Sequence, residues 1–143
     1  IKDLTHQLKA ILGIDREWEV ALVGVGNMGR ALVAYEGLKN QGFKVTQLFD
    51  SDPNKTGMFC AGLKIKDTKT LKEEIRNSAI KIAVLAVPAN AAQEVTNLLL
   101  EAGIKAILNF APTRIIVPAG VNVLNIDITN ELTRLSYYLV QPT

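Results

Sequence analysis

Three glycines, Gly24, Gly26 and Gly29, stand as G-x-G-x-x-G within ALVGVGNMGRALVAYEG, and an acid, Asp50, lies 21 residues after the last of them. Glycine does no chemistry of its own, but it lets backbone N–H groups come close to an anion. In this spacing the first glycine permits a tight turn and the second admits a pyrophosphate to bare backbone. The third lets a helix pack tightly on a strand. Free N–H groups and the helix dipole then favour the phosphate charge. A carboxylate at the end of the next strand accepts hydrogen bonds from ribose hydroxyls and repels a 2′-phosphate. The combination predicts dinucleotide binding, with NAD(H) preferred over NADP(H). Asp52 and Lys55, in DSDPNK, read as turn residues that could also border an adenosine.

A nicotinamide dehydrogenase also needs a group that moves a proton while hydride moves. The single histidine, His6, belongs to an amphipathic N-terminal stretch far in sequence from the strand ends. No His/Cys/Asp cluster has metal-ligand spacing, and no G-x-S-x-G turn is present. The strand ends expected to face a nicotinamide are Ala86-Val87-Pro88 and Phe110-Ala111-Pro112, which are apolar and suited to holding a flat ring without reacting with it. Asn109 could bond the carboxamide or serve the strand end structurally. Either a substrate domain lies elsewhere, or the ligand is read and not consumed. No catalytic residue and no metal are predicted.

The elements that must position these residues follow from periodicity. Leu4, Leu8, Ile11 and Leu12 predict a first helix stopped by Gly13. A buried strand is expected over 19–24, a helix from Asn27 to about Lys39, and an alternating strand over Phe43–Asp50. A short strand over 62–65, a helix over 70–76 and an apolar strand over 81–87 come next. Pro88 suits the first turn of a helix over 89–102. Strands over 105–110 and 121–126 precede a final amphipathic helix over about 129–139. Strands alternating with helices imply crossover connections and a doubly wound α/β domain with a mostly parallel sheet, whose ligands lie beyond the carboxyl ends of the strands.

Bulk composition agrees. The chain has 143 residues, 48% of them hydrophobic and 21% charged, which fits one globular domain. A net charge of +2, with Lys and Arg scattered, excludes a nucleic-acid surface within this chain. One cysteine, Cys60, excludes an internal disulfide framework and fits a reducing cytosol. The apolar runs are too short to span a membrane, and the N-terminus does not read as a signal peptide. Because the sequence opens on Ile1, a fragment or processed product is expected.

Across nearly its whole length the sequence resembles the Rex family of bacterial redox-sensing transcriptional repressors. The resemblance runs through LVGVGNMGRALVAYEGL, FDSDPNKTG, LAVPANAAQEV, GIKAILNFAP and LTRLSYYL. It implies no enzyme but a homodimer whose Rossmann domains bind NADH or NAD+, NADH disfavouring operator binding. It also implies an N-terminal winged helix that contacts DNA, for which the residues before Ile1 would have to provide. This chain is therefore expected to keep the sensor and lack the operator contact. The implied organisation is a connector helix over 1–15, a Rossmann domain over 16–127 and a C-terminal helix over 128–143 exchanged between subunits.

Carried over by position, Gly24, Val25, Gly26, Asn27, Met28 and Gly29 would hold the pyrophosphate, and Asp50 the adenosine ribose. Ala86, Val87 and Pro88, with Phe110, Ala111 and Pro112, would line the nicotinamide side. Tyr35 and Asp127 correspond to a tyrosine and an aspartate whose hydrogen bonding changes with ligand state. Ile128 stands where the family places an apolar side chain near the partner's nicotinamide pocket. Physically, Tyr35 could also pack on its helix and Asp127 could be an ordinary N-cap. Ile128, Leu132, Leu135 and Leu139 form one apolar stripe at helical spacing. The rival readings are the cofactor domain of an NAD-dependent oxidoreductase and a CoA- or nucleotide-binding subunit of related fold.

Overall fold

The computed structural model describes residues 17–140. The connector helix expected over 1–15, with His6, and the last three residues of the C-terminal segment lie outside the described residues. Seven strands form one sheet in the order β3-β4-β2-β1-β5-β6-β7. They are β1 (Trp18–Val23), β2 (Phe43–Asp50), β3 (Phe59–Cys60), β4 (Leu63–Asp67), β5 (Ile82–Leu85), β6 (Ala106–Asn109) and β7 (Asn122–Asn125). Every pairing is parallel except β3 with β4. With the small edge hairpin set aside, the order reverses beside β1, as in a doubly wound dinucleotide fold.

Among the described residues five α-helices accompany the sheet: α1 (Asn27–Ala34), α2 (Glu36–Asn40), α3 (Leu71–Arg76), α4 (Ala89–Glu101) and α5 (Ile128–Val140). A turn of 3-10 helix, Thr68–Thr70, leads into α3. One face of the sheet buries Ala21, Val23, Phe49, Ala83 and Leu85 against Leu71 and Ile75 of α3 and Ala92, Val95 and Leu99 of α4. The α4 residues recur at helical spacing, so one stripe of the helix faces the sheet. The other face buries Val20, Leu22, Leu48, Ile65 and Val84, with Leu32 and Val33 of α1 laid over them. Because β1 is covered on both sides from Val20 onward, Val20–Val23 reads as an unbroken apolar run.

Two local departures from the sequence reading have physical causes. The helix expected over Asn27–Lys39 breaks at Tyr35, whose backbone is extended at φ −78° and ψ 107°. The Tyr35 ring lies over Gly37, where any β-carbon would collide with it. In β2, Val45 pairs with Val20 but Gln47 pairs with Ala21, so Thr46 is a bulge. The bulge resets the alternation and puts Val45 and Leu48 on one face with Phe49 on the other.

Candidate binding site

At the carboxyl ends of β1, β2 and β5 lies a cleft of about 450 Å³. It brings together Gly24, Gly26, Asp50, Ala86, Val87 and Pro88, all singled out from the sequence. Ser51, Asp52, Lys55, Thr68, Ala91 and Val95 complete its lining. Of these, Asp52 and Lys55 had a signal in the DSDPNK turn. Thr68 and the α4 residues had none, because only the tertiary fold carries them there.

The three glycines of the turn serve three different needs. Gly24 sits at φ +101°, and a β-carbon there would run into the Ala86 carbonyl. Gly29 is buried, and a β-carbon there would meet the Gly24 carbonyl, so helix and strand touch backbone to backbone. Gly26 is the opposite case: a β-carbon would find open space, on the cleft side of the turn. Gly26 is also the N-cap of α1, and no side chain caps that helix. The first-turn N–H groups are thereby left for an external acceptor. Asn27 and Met28 stand exposed at this end, while the Val25 side chain is buried in the core.

Asp50 ties the turn to the end of β2. Its Oδ2 accepts from the Val25 N–H at 2.8 Å, and its Oδ1 accepts from the Asp52 N–H at 2.9 Å. The Lys55 ammonium stands 4.0 Å from Oδ2. A carboxylate offers about four acceptor sites, so two remain for hydroxyl donors. The arrangement fits a ribose beside a pyrophosphate, the latter over Gly26. At the other end, Ala86, Val87, Pro88, Ala91 and Val95 supply an apolar wall.

The second expected wall is set apart. Ala111 and Pro112 line a neighbouring polar cleft of about 280 Å³ with Thr113, Arg114, Asn125 and Asp127. Phe110 is half-buried against the α1 side of the sheet. Asn109, which had two possible roles, is fully buried and spends both amide hydrogens on protein partners, the Thr113 carbonyl and Asn125. Gln93, which sequence reasoning did not single out, ties α4 to the loop after β6: its Oε1 accepts from the Ile116 N–H at 2.7 Å and its Nε2 donates to the Ile116 carbonyl at 3.0 Å. Asp127 caps α5, its Oδ1 accepting from the Asn130 N–H at 3.0 Å. Tyr35 is 63% exposed and Ile128 is exposed at the start of α5. Among the described residues no group of three His, Cys, Asp or Glu could hold a metal. No described helix is long and apolar enough to cross a membrane.

A family model described as a CoA binding domain matches residues 15–113. The redox-sensing transcriptional repressor Rex of Roseiflexus sp. (strain RS-1) is 43% identical over 141 residues, covering 99% of this chain and 64% of that protein. The chain thus spans less than two thirds of that relative's length. Among solved structures, RSP in complex with β-NADH is 33% identical with a TM-score of 0.88, covering 96% of this chain and 67% of RSP. RSP, a Rex-family repressor, with β-NAD+ and operator DNA gives a TM-score of 0.91 at the same identity, covering 96% and 64%.

Proposed function

This chain belongs to the Rex family of redox-sensing transcriptional repressors, and on that premise we propose that it is the NAD(H)-sensing domain of such a repressor. The observation that carries this reading is the make-up of the cleft. One end offers bare backbone at Gly26 beside the Asp50 carboxylate, and the other is an apolar wall of Ala86, Val87 and Pro88. The first end suits a pyrophosphate and a ribose. The second holds a ring and supplies no proton donor for a hydride-transfer reaction.

In this reading Gly24, Val25, Gly26, Asn27, Met28 and Gly29 bind the pyrophosphate through backbone N–H groups, and Asp50 accepts from the adenosine ribose. Phe110, Ala111 and Pro112 close on the nicotinamide from the far side. Residues 16–127 form the dinucleotide domain, 1–15 connect it to a DNA-binding module, and 128–143 make the dimer contact. Tyr35, Asp127 and Ile128 report the bound state to the partner. The protein works in the cytoplasm, on operator DNA, and NADH shifts the dimer away from the operator-binding arrangement.

The dimer reading is supported by two apolar features that the described residues leave unfilled. The helix α5 buries none of its residues, although Leu132, Leu135 and Leu139 form one stripe. On the sheet, Leu22, Ile82, Val84, Leu108 and Leu124 line an apolar cavity of about 360 Å³. Exchange of α5 between two copies covers both.

A ligand shifts such a dimer only by its differential affinity for the two states. The uncharged reduced ring suits an apolar wall better than the oxidised, charged one. A preference of about 2–3 kcal/mol corresponds to roughly 30- to 150-fold. Separate calorimetric titrations of NADH and NAD+ test this directly, with NADH expected to bind tighter by that factor. Equal affinities overturn the sensing role. Displacement of NADH by CoA at comparable concentration would support the CoA reading that the matched family model suggests.

A further inference from the structure

One buried side chain joins the turn after β6 to the strand that leads into α5. Asn109, the last residue of β6, has no exposed surface. Its Oδ1 accepts from the Ala111 N–H at 3.0 Å. Its Nδ2 donates to the Thr113 carbonyl and to Oδ1 of Asn125, the last residue of β7, each at 2.9 Å. The backbones are paired at the same place: Asn109 registers with Asn125, and the Ile126 N–H donates to the Asn109 carbonyl at 2.9 Å. Two residues beyond Asn125, Asp127 caps the first turn of α5. Gln93 holds the outer part of the same loop to α4 at Ile116.

We propose that Asn109 and Asn125 are positioning residues that link the Phe110–Pro112 wall to the first turn of α5. The proposal rests on the dinucleotide reading above, in which that wall meets the nicotinamide. A shift of the turn must either move Asn125 or leave a buried amide donor unpaired. The second course costs more than the bond is worth in net terms, so turn and strand end move as one. The polar cleft between them, lined by Ala111, Pro112 and Asp127, gives the helix start room to respond. Neither asparagine needs to touch the ligand.

The test uses hydrogen exchange at the Asn130 and Glu131 amides, which bond to Asp127. It compares the whole chain, Asn125→Ala and Asn125→Asp, each with and without saturating NADH. Asn125 lies outside the apolar core, so Asn125→Ala removes the acceptor at Asn109 without opening a cavity among the apolar side chains. NADH is expected to change exchange at these amides by at least about fivefold in the unsubstituted chain. Asn125→Asp, which keeps an acceptor oxygen, retains that change. Asn125→Ala reduces it below about twofold while NADH affinity stays within about threefold. A full response in Asn125→Ala, or loss of response in Asn125→Asp, overturns the link. An unsubstituted chain that binds NADH with no change at these amides also overturns it. Absence of NADH binding in the unsubstituted chain is a separate result: it overturns the dinucleotide reading itself, and the link with it.

Discussion

At the scale of single residues, the three glycines of the turn divide by what a β-carbon would meet. Gly24 and Gly29 are required by the fold, because a β-carbon at either meets a backbone carbonyl. Gly26 has φ −88° and ψ −157°, a conformation open to any residue, and free space above it. Gly26→Ala is therefore expected to melt with the unsubstituted chain yet lose at least about tenfold in NADH affinity, or about 1.4 kcal/mol. Gly29→Ala must push α1 off β1 and is expected to cost about 1–3 kcal/mol of stability. Thermal melting and calorimetric titration of both variants check the pair, and an unimpaired Gly26→Ala would remove the pyrophosphate from this turn. Asp50 is a less clean probe, since its carboxylate also holds the Val25 and Asp52 amides.

At the scale of elements, the succession of strands and helices and most boundaries are legible because periodicity reports burial, and burial is what the sheet imposes. Phe43–Asp50 is one such case, matching from end to end. The Thr46 bulge was not legible, since a shift of register leaves composition unchanged. The two-residue strand β3 is too short to show a period. The site was half legible: Gly24, Gly26, Asp50 and Ala86–Pro88 meet in one cleft, whereas the role of Asn109, left open between two readings, and the Gln93–Ile116 link are set by side-chain hydrogen bonds that no periodicity announces. The break at Tyr35 belongs with these, for LVAYEGL is rich in helix formers and only Gly37 hints at it. Gly37→Ala tests the break. The added methyl must expel the Tyr35 ring, while the gain in helix propensity keeps stability within about 1 kcal/mol. The ring protons of Tyr35 should move in the NMR spectrum, and unchanged shifts would mean that the ring does not rest on Gly37.

At the scale of the whole molecule, the described residues leave apolar surface open in two places. Its sheet keeps an apolar cavity beside β5, β6 and β7, and α5 stands with Leu132, Leu135 and Leu139 in the open. A lone helix of 13 residues is marginal in water, so α5 needs a surface to lie on. The exchange between two copies proposed above would satisfy helix and cavity together, and would do so with closed symmetry. Leu132→Asp with Leu135→Asp places two charges in that contact and is expected to turn a dimer into a monomer by light scattering. The sheet core should survive, because α5 contributes nothing buried to its own chain. A double variant that remains dimeric would place the interface elsewhere. If the monomer still binds NADH but no longer prefers it over NAD+, discrimination belongs to the pair, with Ile128 of one copy completing the pocket of the other.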